Sequence, residues 1–221
     1  MIDGKTIAIT RSKDDAQEFI ELVSKQNANP ITLPTIQLVS KGEKIVDEFL
    51  DTIEKENPDY SVFMSSKAVT LLIESAKKIS KFEKLQIAIT NTIVIAVGPK
   101  TKDVLEQENI KVAYVPERYS SVGVGEVFTR LNAIGKKAII PRSGASTPFL
   151  KNLLEKIGIN VVELYLYDVC AFNDPTEWND FRLLNFKKLV KKSNFKIFDM
   201  RNMYSPSKMK NLKIKYFGIG R

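Results

Sequence analysis

Histidine is missing from all 221 residues. Its absence excludes Ser-His-Asp nucleophilic chemistry and His-ligated metal sites. Any proton transfer then falls to Tyr, Lys, Asp, Glu or water. The one cysteine, Cys170, has no partner for an internal disulfide, which fits a reducing compartment; a small apolar strand residue is its expected role. No apolar run approaches the roughly 18 residues of a membrane span, and the opening "MIDGKTIAIT" lacks signal-peptide form. A cytoplasmic location with no membrane partner is therefore expected. The aromatic and glycine interleaving of RNA-binding surfaces is also missing.

What the chain does have is length for one large or two small cores, with 43% hydrophobic and 27% charged residues. The formal charge of +8 favours a polyanionic partner, whether nucleic acid, an acidic membrane or a multiply carboxylated small molecule. Lysines cluster at 187–192 and 208–215. A nucleic-acid reading rests on that charge alone and ranks last, because no base-reading motif accompanies it; no nucleic-acid partner is expected.

The chain repeats itself. "KTIAITRS" at 5–12 returns as "KKAIIPRS" at 136–143, and a shift of 131 positions needs no gap from Lys5 to Leu38. Lys5 meets Lys136, Ile9 meets Ile140, Arg11 meets Arg142, Ser12 meets Ser143 and Leu33 meets Leu164. Generic strand-turn-helix patterning accounts for part of such a match. The shared Arg-Ser after the strand favours a duplicated domain.

Short apolar strands alternate with helical patterns throughout. Thr6–Thr10 reads as a strand, and Ala16, Phe19, Ile20 and Val23 recur at helical spacing behind Ser12, a candidate N-cap. "PITLPTIQLV" at 30–39 reads as extended and 43–56 as a polar helix. Strands are expected at Tyr60–Met64, Thr92–Val97, Lys111–Pro116, Lys137–Pro141 and Asn160–Val169, and helices at 65–78, 99–109, 121–131 and 148–157. Gly98 is placed in a turn that calls for positive φ, with Pro99 at the first helical position, where a missing N–H costs nothing.

This alternation implies parallel sheets covered on both faces. Ligands of such sheets sit beyond the carboxyl ends of the strands. Four polar turns fall there: "TRS" at 10–12, "SSK" at 65–67, "GPKT" at 98–101 and "PRSGAS" at 141–146. Taken singly, each is best explained as helix capping; together their amides, hydroxyls and cations suit carboxylates. The two long strands that end the repeats must both cross one junction if the segment between them folds separately. The expected organisation is a discontinuous lobe of residues 1–35 and 168–221 and a second lobe of residues 36–167. A cleft between two such lobes is the default ligand site.

"ITRSKDDAQEF", "VFMSSKAVTLL", "VIAVGPKTKDVL", "VPERYSS" and "VVELYLYDV", in that order, resemble the uroporphyrinogen-III synthase family over residues 5 to about 170. The resemblance implies two doubly wound α/β lobes joined by a two-stranded ladder. It also implies a cofactor-free, monomeric lyase that cyclises hydroxymethylbilane with inversion of the last pyrrole. By position, Tyr167 matches a tyrosine proposed to give the departing hydroxyl its proton. Tyr165 lies two residues earlier, on the same face by strand alternation; on residue grounds alone, packing with a wet hydroxyl accounts for Tyr167. Ser65, Ser66 and Lys67 match one substrate-holding turn, and Gly98, Pro99 and Thr101 another. Thr10 and Arg11, and Arg142 and Ser143, match positions after the paired strands.

The tail departs from that pattern. Strands are expected at Phe195–Met200 and Lys213–Ile219, with "RNMYSPSKMKNL" between them too short for a helical pair. "DMRNMYSPS" stands where a Thr-Ser-Ser turn belongs, and Gly220 is the expected remnant of a Gly-Pro turn. The shortened tail keeps a second function class open: a non-catalytic protein of the same shape that binds a linear tetrapyrrole or another polycarboxylate.

Overall fold

The computed structural model describes residues 2–172, 196–199, 205–211 and 215–218. The chain divides into two units, Met1–Ile36 with Phe172–Arg221, and Gln37–Ala171. It is an α/β protein with parallel sheets, and no helix among the described residues is long and apolar enough to cross a membrane.

The first unit opens with β1 (Thr6–Ile9), α1 (Lys13–Ser24) and β2 (Asn29–Thr32), the two strands pairing in parallel. Ile9, Ala16, Val23 and Ala28 form its buried cluster, so the helical spacing of α1 is spent on covering that strand pair. Ser12 occupies the N-cap position without capping: its Oγ donates to Asp15 Oδ2 at 2.9 Å instead of accepting a backbone N–H. The extended stretch at 30–39 breaks in two, because Pro34 has no N–H to give a ladder and the Thr35 hydroxyl turns to the Thr10 carbonyl at 3.0 Å.

The second unit runs β3 (Ile36–Ser40), α2 (Lys44–Glu56), β4 (Tyr60–Phe63), α3 (Ser66–Lys78), α4 (Phe82–Thr90) and β5 (Ile93–Ala96). It continues through α5 (Pro99–Gln107), α6 (Ser121–Arg130), β6 (Lys137–Ser143), α7 (Phe149–Lys156) and β7 (Asn160–Ala171). Its five-stranded sheet has the order β3-β7-β6-β4-β5, and β7, β6, β4 and β5 are parallel. Alternate strand residues face opposite cores. Phe63, Val94, Ala96, Ile139 and Leu164 pack under α2 to α5, while Tyr60, Val62, Ile95, Ala138 and Ile140 pack under α6 and α7. Burying each large apolar side chain there contributes about 1.5–3 kcal/mol. The expected strand at 111–116 shrinks to one bridge, Ile95 to Tyr114. Val112 turns into the core and Pro116 cannot donate to extend the ladder.

β3 pairs with β7. Lys41 N–H donates to the Leu166 carbonyl and Phe172 N–H to the Thr35 carbonyl. One number rises as the other falls, so the two strands run antiparallel. Both passages of the chain between the units, after Ile36 and after Ala171, lie on this strand pair. In the tail, β8 (Lys196–Asp199) and β9 (Lys215–Gly218) pair in parallel, and among the described residues between them lies one helix, α8 (Pro206–Asn211). The corresponding span of the second unit, β4 to β5, holds two helices.

The 131-residue echo is three-dimensional. Thr6 faces Asn29 across the β1–β2 pair, as Lys137 faces Asn160 across β6–β7. Gly4 N–H donates to the Asn27 carbonyl at 2.8 Å, as Gly135 N–H does to that of Gly158 at 2.7 Å. Both members of each pair share a left-handed backbone: Gly4 and Gly135 at φ 63° and 80°, Asn27 and Gly158 at 54° and 86°.

Gly158→Val places a branched side chain at positive φ, its Cβ 3.0 Å from Ile134 Cγ2. It is expected to lose about 1–2 kcal/mol in urea unfolding, whereas Asn27→Gly stays within about 0.5 kcal/mol of the parent. Acid sensitivity has a separate origin. Asp59 accepts from Lys136 Nζ at 2.8 Å and Lys137 N–H at 2.9 Å, and Glu56 accepts from Lys137 Nζ at 3.0 Å. These bonds hold both carboxyls below their ordinary values, through Lys136 for Asp59 and Lys137 for Glu56. Groups lowered on folding stabilise above the ordinary carboxylate range, and that contribution disappears as pH falls through the folded-state values. Asp59→Asn is expected to flatten the fall in melting temperature between about pH 5 and pH 3, followed by calorimetry.

Candidate functional site

Because β7, β6, β4 and β5 are parallel, the turns that leave β6, β4 and β5 emerge side by side at one end of the sheet. The middle turn, after β4, is Met64–Lys67. Ser65 is extended, at φ −159°, and its Oγ accepts the Lys67 N–H at 3.2 Å, capping α3. Ser65, Ser66 and Lys67 are all half-buried.

The turn after β5 starts α5. Gly98 lies at φ −167°, ordinary extended backbone, so the positive φ expected there is not what selects glycine. The reason is crowding: a Cβ at position 98 would lie 3.3 Å from Cγ of Tyr119. The Gly98 carbonyl accepts the N–H groups of Thr101 and Lys102 at 3.1 and 3.0 Å. Pro99 is exposed at the first helical position, and Thr101 is buried.

The turn after β6 is closed on itself. Ser143, buried, accepts the Ala145 N–H on Oγ at 3.1 Å and the Ser146 N–H on its carbonyl at 3.1 Å. Gly144 N–H donates to the Tyr167 carbonyl at 2.9 Å, and any Cβ at 144 would collide with Asp168 Oδ1. Arg142 is not an open cation. It is 9% exposed, pairs through Nη1 with Glu163 Oε1, and donates from Nη2 to the Thr147 carbonyl at 2.7 Å. The remaining carboxylate oxygen, Glu163 Oε2, accepts the hydroxyl of Tyr165 at 3.0 Å. That bond pushes the Tyr165 phenol above its ordinary value.

The two tyrosines do not share a face. Arg142 is opposite Tyr165 but Ser143 is opposite Tyr167, so a bulge inserts Leu166 between them. Tyr165 is left 39% exposed, while Tyr167 is 8% exposed with its body in the α2–α5 core. The Tyr167 hydroxyl is not sealed in: among the described residues the one buried side-chain polar atom without a partner is Arg142 Nε.

Thr10 and Arg11 belong to the first unit, at the carboxyl end of β1. Thr10 offers its carbonyl to Thr35, and Arg11 is exposed with its guanidinium 4.4 Å over the Phe19 ring. Gly220 and the lysines at 187–192 lie outside the described residues. Among the described residues, no group of three or more His, Cys, Asp and Glu side chains is arranged to hold a metal ion. The sequence patterns did not single out Tyr119, Glu163 or Asp168. Gly144 and Gly98 carried the one local hint, since each glycine marks a close neighbour supplied by a distant segment.

A doubly wound unit with polar turns at its carboxyl edge, connected by an antiparallel strand pair to a unit that repeats its βαβ start, defines a two-unit α/β protein. The particular family follows from comparison. The family described as "Uroporphyrinogen-III synthase HemD" matches residues 17–213; this chain belongs to that family. A Methanothermobacter thermautotrophicus protein named "Putative uroporphyrinogen-III synthase" is 26% identical over 162 residues, 73% of this chain and 61% of that protein's length. The chain thus spans about three fifths of this relative. Among solved structures, a mutant uroporphyrinogen III synthase of Thermus thermophilus aligns with TM-score 0.58 at 17% identity, over 88% of this chain and 72% of that one. The Helicobacter pylori uroporphyrinogen-III synthetase aligns at 0.54 and 18%, over 85% and 84%. At such identities the likeness establishes the shared fold.

The turn geometry predicts two different outcomes for glycine replacement. Gly98→Ala presses a Cβ to 3.3 Å from Cγ of Tyr119, an exposed side chain that can give way in part, and is expected to cost up to about 1 kcal/mol. Gly123→Ala, in the first turn of α6, drives a Cβ into the Arg118 carbonyl. It is expected to cost about 1–3 kcal/mol, read as a lowered calorimetric midpoint.

Proposed function

We propose that this protein is a lyase that cyclises hydroxymethylbilane to the type III uroporphyrinogen, the ring-closing step of haem-type tetrapyrrole synthesis, as a cytoplasmic monomer needing no cofactor. Family membership supports the reading. The single observation that carries it is the row of adjacent turns at the carboxyl edge of β4, β5 and β6, two of which open directly into α3 and α5. Helix starts of this kind hold carboxylates through main-chain N–H groups and need no histidine. A chain of net charge +8 attracts a substrate bearing acetate and propionate arms.

In this reading Ser65, Ser66, Lys67, Gly98 and Pro99 of the second unit contact the substrate's acid arms. Thr101, Arg142 and Ser143 stand behind them as buried supports. Tyr167 supplies the proton: the terminal C–O bond breaks, the oxygen leaves as water, and an azafulvene cation remains. The last pyrrole attacks through a ring carbon, the spiro intermediate reopens and recloses inverted, and the proton then lost from carbon restores the phenol. No strong nucleophile or metal takes part. Positioning supplies much of the acceleration, up to roughly 7–11 kcal/mol in ideal intramolecular cases.

The second reading, binding without turnover, rests on the tail, where α8, six residues long, is the one helix among the described residues between β8 and β9. Incubation with freshly prepared hydroxymethylbilane decides between them. Type III product formed faster than the spontaneous type I isomer supports the lyase; type I alone supports the binder or an inactive copy. In the active protein Tyr167→Phe is expected to lower turnover about a hundredfold with an unchanged melting temperature, and undiminished turnover removes Tyr167 from the chemistry.

A further inference from the structure

The Arg142–Glu163–Tyr165 chain has a polarity that the acid-arm contacts do not explain. We propose that Tyr165 presents its phenolic oxygen as a hydrogen-bond acceptor for a pyrrole N–H of the ligand, with Glu163 and Arg142 as the positioning residues that fix this polarity. The assignment rests on the tetrapyrrole reading above and specifies which part of that ligand the corner recognises.

A hydroxyl has one proton and two acceptor sites. The Tyr165 proton is committed to Glu163 Oε2 at 3.0 Å. Glu163 cannot easily release it. Its side chain, like that of Arg142, is 9% exposed, and its other oxygen is occupied by Arg142 Nη1. A buried ion pair is tolerated only when its remaining hydrogen-bonding capacity is met. Turning the Tyr165 proton outward would strip Oε2 of its donor inside that buried pair. The Arg142 fork is itself anchored, with Nη2 on the Thr147 carbonyl at 2.7 Å. Lys41 Nζ lies 5.8 Å from the centroid of the Tyr165 ring and covers part of it. The hydroxyl therefore shows the solvent lone pairs only. The raised Tyr165 pKa, caused first by the Glu163 hydrogen bond, keeps the proton on the phenol at neutral pH.

A linear tetrapyrrole bears two main kinds of polar group, anionic arms and ring N–H donors. Lone pairs backed by a carboxylate repel the first and accept from the second. The repeat shows that this corner is peculiar to the second unit. The two strand pairs share one register, so positions 163 and 165 correspond to 32 and 34, which are Thr32 and Pro34. The arginine is common to both copies, but its acid and its phenol are not. Arg11 accordingly is exposed over Phe19 while Arg142 is buried on Glu163.

The test titrates a linear octacarboxylate bilane with free pyrrole N–H groups, and its N-methylated counterpart, against the wild-type chain, Y165F and E163Q. Wild type is expected to prefer the N–H bilane. Y165F should bind that bilane about tenfold more weakly and the N-methylated one unchanged, with a modest fall in melting temperature because Glu163 Oε2 loses its donor. E163Q should lose the same preference, because its amide can donate to the phenol and turn the Tyr165 proton outward. Equal weakening of both bilanes in Y165F, or no weakening of either, overturns the assignment while leaving the tetrapyrrole reading intact. A wild-type chain that binds neither bilane overturns that reading, and the assignment with it.

Discussion

The main-chain hydrogen bonds that hold β7, β6, β4 and β5 parallel decide where the turns that follow β4, β5 and β6 go. Parallel strands must each return by a crossover, so all their carboxyl ends point one way and every following turn meets its neighbours at the same edge. Serine and glycine turns separated by more than thirty residues in sequence become adjacent for that reason alone. The two cores that sandwich the sheet, one under α2–α5 and one under α6 and α7, make the pairing rigid. The helix starts behind the turns are thereby held along one edge of the sheet.

The same geometry in duplicate explains why the two halves of the repeat now differ in use. Register, the carbonyl contacts of Gly4 and Gly135, and the left-handed residues Asn27 and Gly158 are retained in both copies. These are backbone requirements, indifferent to what the side chains do. Side-chain roles have separated. Arg11 stayed at the surface, and Arg142 became half of a buried ion pair. A buried arginine can be kept only with a carboxylate at hand, and the second copy alone has an acid at the paired position.

The β7 bulge has the largest consequence of any local feature. One extra residue opposite Ser143 reverses the sidedness of the strand. Tyr167 is turned into the core and Tyr165 is left outside. The two phenols, two positions apart, thus have different surroundings: one ring belongs to the α2–α5 core, the other is tied by its hydroxyl to a buried carboxylate.

Much of this was legible in the residues themselves. Residue patterning located α1 to α3, α5 to α7 and most strands but not α4, the missing histidine narrowed the chemistry, and the echoed Arg-Ser exposed the repeat. Those signals are local or self-referential, so they survive without knowledge of the fold. What tertiary structure alone decided was pairing across strands and helices: the bulge that separates Tyr165 from Tyr167, the acid 21 residues away that takes Arg142 out of solvent, the tyrosine that makes position 98 a glycine, and the collapse of 111–116 to one bridge. Each depends on register and on which neighbour arrives, and neither quantity is written in the period or composition of a single segment.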